Sequence, residues 1–218
     1  MKLKLPVYVI NFKTYPEASG KNAVKLAMIC KKAADKKKAS VLVAVQAGDI
    51  YEVAKTGIKT IAQHVDAAEP GRNTGFILAE DVKKNGAVGT LLNHSEHRLK
   101  FGLLKKTIKI CRENNLIVIA CASTPAEAGK ISKLKPDYIA IEPAELIAGK
   151  ISVSKAKPGV IAETVKKAGK IPVLCGAGIH AREDVKIAFK LGARGILVAS
   201  GVVKAGNREK ELNNLILD

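Results

Sequence analysis

Residues 117–143 read IVIACASTPAEAGKISKLKPDYIAIEP, and the fold turns on how this stretch is interpreted. Ile117 to Ala122 form an apolar run without alternation, the pattern of a strand covered on both faces. Thr124, Pro125 and Glu127 come next: a capping hydroxyl, a proline that is tolerated at the first helical position because its N–H would be unpaired there anyway, and a carboxylate placed to reach back to the cap. A second apolar run, Tyr138 to Ile141, then ends on Glu142 and Pro143. Strand, helix and strand in this order form the crossover unit of a parallel sheet, and such crossovers are right-handed.

Working outward, six more short apolar runs appear: Val7 to Ile10, Val41 to Val45, Thr60 to Gln63, Gly89 to Leu92, Val173 to Cys175 and Gly195 to Val198. Helical periods lie between them. Ala23, Leu26, Ala27, Cys30 and Ala34 share one face, as do Leu104, Ile108 and Cys111, and again Ile161, Thr164, Val165 and Ala168. Strict alternation leaves a closed or a doubly wound parallel sheet, and eight units favour the closed (β/α)8 barrel. No linker or shift in composition interrupts the 218 residues, so residues 1–218 are expected to form a single domain, somewhat shorter than most such barrels.

Composition narrows the function classes. Hydrophobic residues make up 47% of the chain, enough for a large core, yet no apolar run approaches the roughly 20 residues of a membrane span. The start, with Lys2, Lys4 and Pro6, lacks the features of a signal peptide, so a cytoplasmic protein with no membrane partner is expected. Cys30, Cys111, Cys121 and Cys175 are widely spaced in apolar segments, which fits buried free thiols and no metal site. The net charge of +17 raises nucleic-acid binding as a rival. Its lysines, however, fall as pairs and triples such as Lys36 to Lys38 and Lys166 to Lys167, which read as solvated helix surface. Four Phe, four Tyr and no Trp supply little to stack on bases, so no nucleic-acid partner is expected, while a positive field would draw in a small phosphorylated substrate.

In a barrel the chemistry sits at the carboxyl ends of the strands. The first strand runs into Asn11, Phe12 and Lys13, the fourth into Asn93, His94, Ser95 and Glu96, and the sixth into Glu142. An amide, an ammonium, an imidazole and a carboxylate around one pocket can move a proton next to a carbonyl. The seventh strand ends in Cys175, Gly176, Ala177 and Gly178 and the eighth in Ala199, Ser200 and Gly201, two small-residue turns whose backbone N–H groups can approach a phosphate.

Asn11-Phe12-Lys13, the run Asn93-His94-Ser95-Glu96-His97-Arg98 and Ile141-Glu142-Pro143 occur in the order and on the strands seen in triosephosphate isomerases. The chain resembles the shorter archaeal form of that family over essentially its whole length. The resemblance implies a TIM barrel that interconverts D-glyceraldehyde 3-phosphate and dihydroxyacetone phosphate through an enediolate, in glycolysis and gluconeogenesis, without a cofactor. It implies Glu142 as the base and His94 as a neutral electrophile kept so by an adjacent helix N-terminus, a feature for which this family is itself the standard example. Lys13 would offset enediolate charge and bind phosphate, Asn11 would orient oxygens, and Glu96 would position its neighbours. Ile147, Gly178, Ala199 and Ser200 map to backbone phosphate contacts. The sixth loop would be a lid, again a role for which this family is the usual example. Relatives carry Gly-Thr-Gly after the isoleucine, whereas this chain has Ala148, Gly149 and Lys150, and alanine restricts the backbone more than glycine does.

Taken singly, Lys13 would be a surface charge and His94 a structural histidine; only their shared context makes them catalytic candidates. Glu145, His64 and His180 are expected to be bystanders, and His97 to support a turn. Residues 64–76, with Pro70, Gly71, Asn73, Thr74 and Gly75, form a long loop that needs a role. In the family the matching loop enters the neighbouring subunit's active site, which implies a homodimer, with a tetramer also open. Another phosphate-binding barrel enzyme is the nearest rival, since glycine-rich turns after the last two strands are common to many.

Overall fold

The computed structural model describes residues 3–143 and 153–217. Among these, eight strands pair in parallel in chain order: β1 (Val7–Asn11), β2 (Ser40–Val45), β3 (Lys59–Ala62), β4 (Gly89–Leu92), β5 (Ile117–Ala122), β6 (Tyr138–Ile141), β7 (Val173–Gly176) and β8 (Gly195–Val198). The last strand returns to the first, with Val7 opposite Gly195, and the barrel closes. The described helices are α1 (Lys21–Lys37), α2 (Ile50–Ala54), α3 (Ala79–Lys84), α4 (Phe101–Glu113), α5 (Pro125–Ser132), α6 (Val153–Ala156), α7 (Pro158–Ala168), α8 (Arg182–Lys190), α9 (Ser200–Val203) and α10 (Arg208–Leu215). The closed (β/α)8 barrel expected from the alternation is the architecture observed.

Continuous rather than alternating strand sequences follow from two separate cores. Val7, Val9, Leu42, Ala44, Ile61, Leu91, Ile119 and Leu174 fill the barrel interior, while their strand neighbours Tyr8, Ile10, Val41, Val43 and Val118 join the layer between sheet and helices. Both faces of the strands are therefore largely dry and dominated by apolar residues, with the small buried hydroxyls of Ser40, Thr60 and Thr90 as exceptions and Lys59 exposed at the start of β3. The helices supply the other side of that outer layer through Ala23, Leu26, Ala27 and Cys30 of α1 and Leu104, Ile108 and Cys111 of α4, the faces marked by their 3.6-residue period. Burying a Leu or Ile side chain stabilises by about 1.5–3 kcal/mol, so the two layers dominate the folding energy.

Local signals set the ends of these elements. The α5 cap forms as expected: Glu127 N–H donates to Thr124 Oγ1 at 3.1 Å, and Pro125 occupies the first turn. The Glu127 carboxylate accepts from Ser123 N–H at 2.8 Å, one residue before the cap. Lys38 stops α1 by adopting the left-handed region at φ 49°, and its N–H donates back to Ala34 and Asp35. β1 extends to Asn11 and β7 to Gly176, whereas β3 ends at Ala62, so Gln63 is released from the strand. All four cysteines are buried and free, and burial pushes the Cys30 and Cys111 thiols up to about 12, so they stay protonated. Among the described residues no helix is long and apolar enough to cross a membrane.

Candidate active site

A pocket opens at the carboxyl ends of the strands, lined by Asn11 and Lys13 after β1, His94 after β4, Glu142 after β6, Ala177 to His180 after β7 and Ala199 to Gly201 after β8. Five elements far apart in sequence meet there because every strand runs in the same direction.

Glu142 enters the pocket directly from β6. Its N–H donates to Ala122 O at 2.9 Å, which continues the ladder one residue past the strand and pins the backbone from which the side chain projects. The Glu142 side chain is only 8% exposed, and its Oε2 has no hydrogen-bond partner among the described residues. It faces His94 Nε2 at 3.5 Å. Burial pushes the Glu142 carboxyl above its ordinary value, partly offset by His94, by a hydrogen bond with Cys121 and by the Lys13 charge. A carboxylate left poor in hydrogen bonds and short of water is a stronger base than one in solution, which suits proton abstraction from carbon.

The imidazole of His94 is fixed from the other side. Glu96 N–H donates to Nδ1 at 3.2 Å, so Nδ1 accepts and the proton resides on Nε2, directed at the pocket and at Glu142. The donor belongs to the turn at Ser95–Glu96, and α4 begins only at Phe101, so the helix N-terminus expected beside His94 is in fact a turn amide.

Lys13 sits in the left-handed region at φ 48°, a conformation that ordinary side chains avoid. Asn11 Oδ1 accepts from Lys13 N–H at 3.0 Å, and Gln63 donates through Nε2 to the carbonyls of Lys13 at 2.9 Å and Ala44 at 3.2 Å. These bonds offset the strain and hold the ammonium at the pocket, where it pairs with Glu96 at 2.6 Å. No local pattern marks Gln63 for this role, because its sequence context is only that of a strand end.

Beneath the β4 loop lies a buried brace. Asn93, at φ 59°, donates to Cys121 O at 2.9 Å and to Glu127 at 3.1 Å and accepts from Leu99 N–H at 3.0 Å; Arg98 bonds Asn93 O and pairs with Glu127. The helix-capping Glu127 thus also anchors the turn that carries His94. Nothing in its sequence neighbourhood signals that second task.

Gly176 has a role that differs from the one its composition suggested. A Cβ there would lie 2.5 Å from Glu142 Cγ, so the residue leaves room for the carboxylate and does more than shape a turn. Beyond it, Ala177 at φ 71° and Gly178 at φ 67° twist the chain across the pocket wall, opposite the start of α9 at Ser200. The first N–H groups of a helix have no partners within it, so α9 presents donors to this wall. His180, expected to be a bystander, lines the same pocket. His64, also set aside, is buried in an adjoining cavity of about 440 Å³ and stacks on His97 with centroids 4.0 Å apart. Ile147, Glu145 and the Ala148-Gly149-Lys150 segment lie outside the described residues.

A closed barrel whose strand ends bring these groups to one mouth defines a (β/α)8-barrel enzyme. The triosephosphate isomerase family model matches residues 6–216. The chain is similar to proteins named triosephosphate isomerase from Methanothermus fervidus, 43% identical over 98% of each chain, and from Methanocaldococcus jannaschii, 43% identical over 95% of this chain and 97% of that one. One from Methanosarcina barkeri is 41% identical over 97% of this chain and 98% of its own. The chain belongs to the triosephosphate isomerase family, whose members interconvert the two triose phosphates of glycolysis.

Proposed function

We propose that this chain interconverts D-glyceraldehyde 3-phosphate and dihydroxyacetone phosphate with Glu142 as base and His94 as electrophile. The observation that carries the reading is the buried Glu142 carboxylate facing His94 Nε2 at 3.5 Å in a pocket shared with Lys13. Glu142 removes the proton from the hydroxyl-bearing carbon next to the carbonyl and returns it to the former carbonyl carbon, which completes the isomerisation and regenerates the carboxylate. The Nε2–H of His94 donates to the substrate oxygens and takes the proton back as the double bond moves, so the enediolate is never fully charged. Lys13 offsets the remaining charge and attracts the phosphate, Asn11 orients the oxygens, and Glu96 positions both Lys13 and His94. The amides of Gly178, Ala199 and Ser200 cradle the phosphate, with that of Ile147 assigned to the same task by the family resemblance alone. Backbone donors suit this task because they cannot be titrated away.

Residues 1–218 act as one domain in a cytoplasmic homodimer, with loop 64–76 of one subunit covering the neighbour's pocket; pairing of dimers into a tetramer would not alter the site. The loop is braced for such contact: Asp66 and Ile77 exchange backbone and side-chain hydrogen bonds at 2.7–2.8 Å, and Phe76 is left 53% exposed. The decisive experiment couples dihydroxyacetone phosphate formation to a dehydrogenase. The wild-type chain should turn over, and Glu142→Ala should lose about three orders of magnitude or more in kcat, the upper range for a positioned general base. Turnover that survives Glu142→Ala would remove the base from this site.

A further inference from the structure

All eight strands are parallel, so the turns that run from helix to strand gather at the end of the barrel opposite the pocket. There are seven such connections in which helix and strand are both described, taken from the last two helical residues to the first residue of the strand. Across them, fourteen Lys or Arg side chains stand against two carboxylates, Glu113 and Asp137, and every connection holds at least one cation. The seven strand-to-helix connections described throughout, counted to the second helical residue, hold six cations and seven carboxylates. The large net charge is thus concentrated on one end of the molecule.

Helix chemistry explains only part of this. Cations favour the last turn of a helix, which accounts for Lys36, Lys37, Lys83, Lys84 and Lys190. It does not account for Lys59, Lys135, Lys170 and Arg194, which are exposed and lie beyond any helix, nor for the scarcity of acids between them. Two grooves of about 380 and 410 Å³ meet at Lys38 and Ala39; Lys4 borders the first, Lys59 the second, and Lys38 both.

We propose that this basic end of the barrel binds the phosphate backbone of duplex nucleic acid, without reading its sequence and with the catalytic mouth left open. The lysine clusters that look scattered along the chain become one surface only when the fold brings helix ends together, so the proposal departs from the expectation drawn from sequence. An extended, regular polyanion fits a ring of cations with few carboxylates. Anionic membrane fits less well, because interfacial binding needs apolar area and Leu5 is the exposed large hydrophobic residue beside the groove at this end. An acidic protein partner would need exposed aromatic anchor residues, whereas the rings at this end, Tyr8, Tyr138 and Phe189, are buried or half-buried.

The test uses the full-length wild-type protein and a fluorescein-labelled mixed-sequence duplex followed by anisotropy. If about four phosphates are neutralised, affinity should fall about a hundredfold between roughly 50 and 200 mM salt. Lys38→Glu/Lys59→Glu/Lys170→Glu should weaken binding at least about tenfold more than the control Lys21→Glu/Lys100→Glu/Lys105→Glu, whose charges lie elsewhere. Isomerase turnover should match wild type in both triple variants, which also shows that they fold, and saturating duplex should not inhibit it. Equal loss in both triples would mean that net charge alone acts, and would overturn the proposal. So would a flat salt dependence, inhibition competitive with substrate, or binding to anionic phospholipid vesicles with none to the duplex.

Discussion

The mouth and the base of the barrel are built from the same kinds of loops, yet they differ in what holds them. Left-handed backbone occurs at both ends, at Lys13, Asn93 and Ala177 of the mouth and at Lys38, Asn115 and Lys135 of the base, but at the mouth polar side chains are also buried or short of partners: His94 and Asn93 are buried, and Glu142 carries an unsatisfied oxygen. At the base, Lys133 and Arg112 are exposed, Arg112 caps the α5 end by donating to Leu134 O and Lys135 O, and the surface charge is spread over many equivalent residues. The mouth therefore sacrifices stability for placement, whereas no single base residue matters to the chemistry. Single substitutions should cut activity at the mouth and leave the base unchanged.

The sharpest difference should come from Lys13→Met, which keeps the stem but removes the charge. It should lower kcat/KM by about two to three orders of magnitude, the scale of losing one transition-state stabiliser, with Tm nearly constant. Gly176→Ala comes next, because its methyl group must displace the Glu142 side chain by steric contact. A base moved by about 1 Å loses about a hundredfold in kcat, so this variant should be folded but slow, with KM changed far less. A kcat near wild type would show that Glu142 tolerates the displacement.

A smaller effect tests the stability cost directly. The Glu142 carboxyl is held above its unfolded value, so as pH rises through that window the unfolded chain loses its proton first and the fold loses stability. Glu142→Gln carries no charge to desolvate. At pH 7 its Tm should exceed wild type by about 2–4 °C, the shift that ~1 kcal/mol produces in a chain of this size, and the gain should vanish below the unfolded carboxyl range, near pH 4. A lower Tm at pH 7 would show that the buried carboxylate stabilises the fold.

The smallest effect concerns the stack of His64 on His97, which joins the loops after β3 and β4. Burial and the nearby His97 ring hold the His64 imidazole below its ordinary value, against the opposing pull of Asp66. As pH falls through about 6.5 the unfolded chain takes up that proton first, so stability should decline from there downward and be complete above it. His64→Asn should flatten that part of the Tm profile. An unchanged profile would assign the slope to other groups.

How much of this was legible in the chain depended on whether a signal was local. Each strand was readable because burial on both faces makes it predominantly apolar; the α5 start was readable because Thr124, Pro125 and Glu127 act within one turn. Asn11, Lys13, His94 and Glu142 were readable as a set because strand direction assigns their end of the barrel. Gln63, the second task of Glu127 and the space kept by Gly176 were not. Each depends on a partner far away in sequence: Lys13 for Gln63, Asn93 for Glu127, Glu142 for Gly176.

The amino-acid order alone determined the alternation of strand and helix, the apolar core and the identity of the side chains at each strand end, because periodicity and capping operate over a few residues. Only the closed barrel decided which distant groups meet, that His94 is oriented by a turn amide and not a helix, and that the lysines of separate helix ends form one surface. Those properties arise from distances across the sheet, which no local pattern encodes.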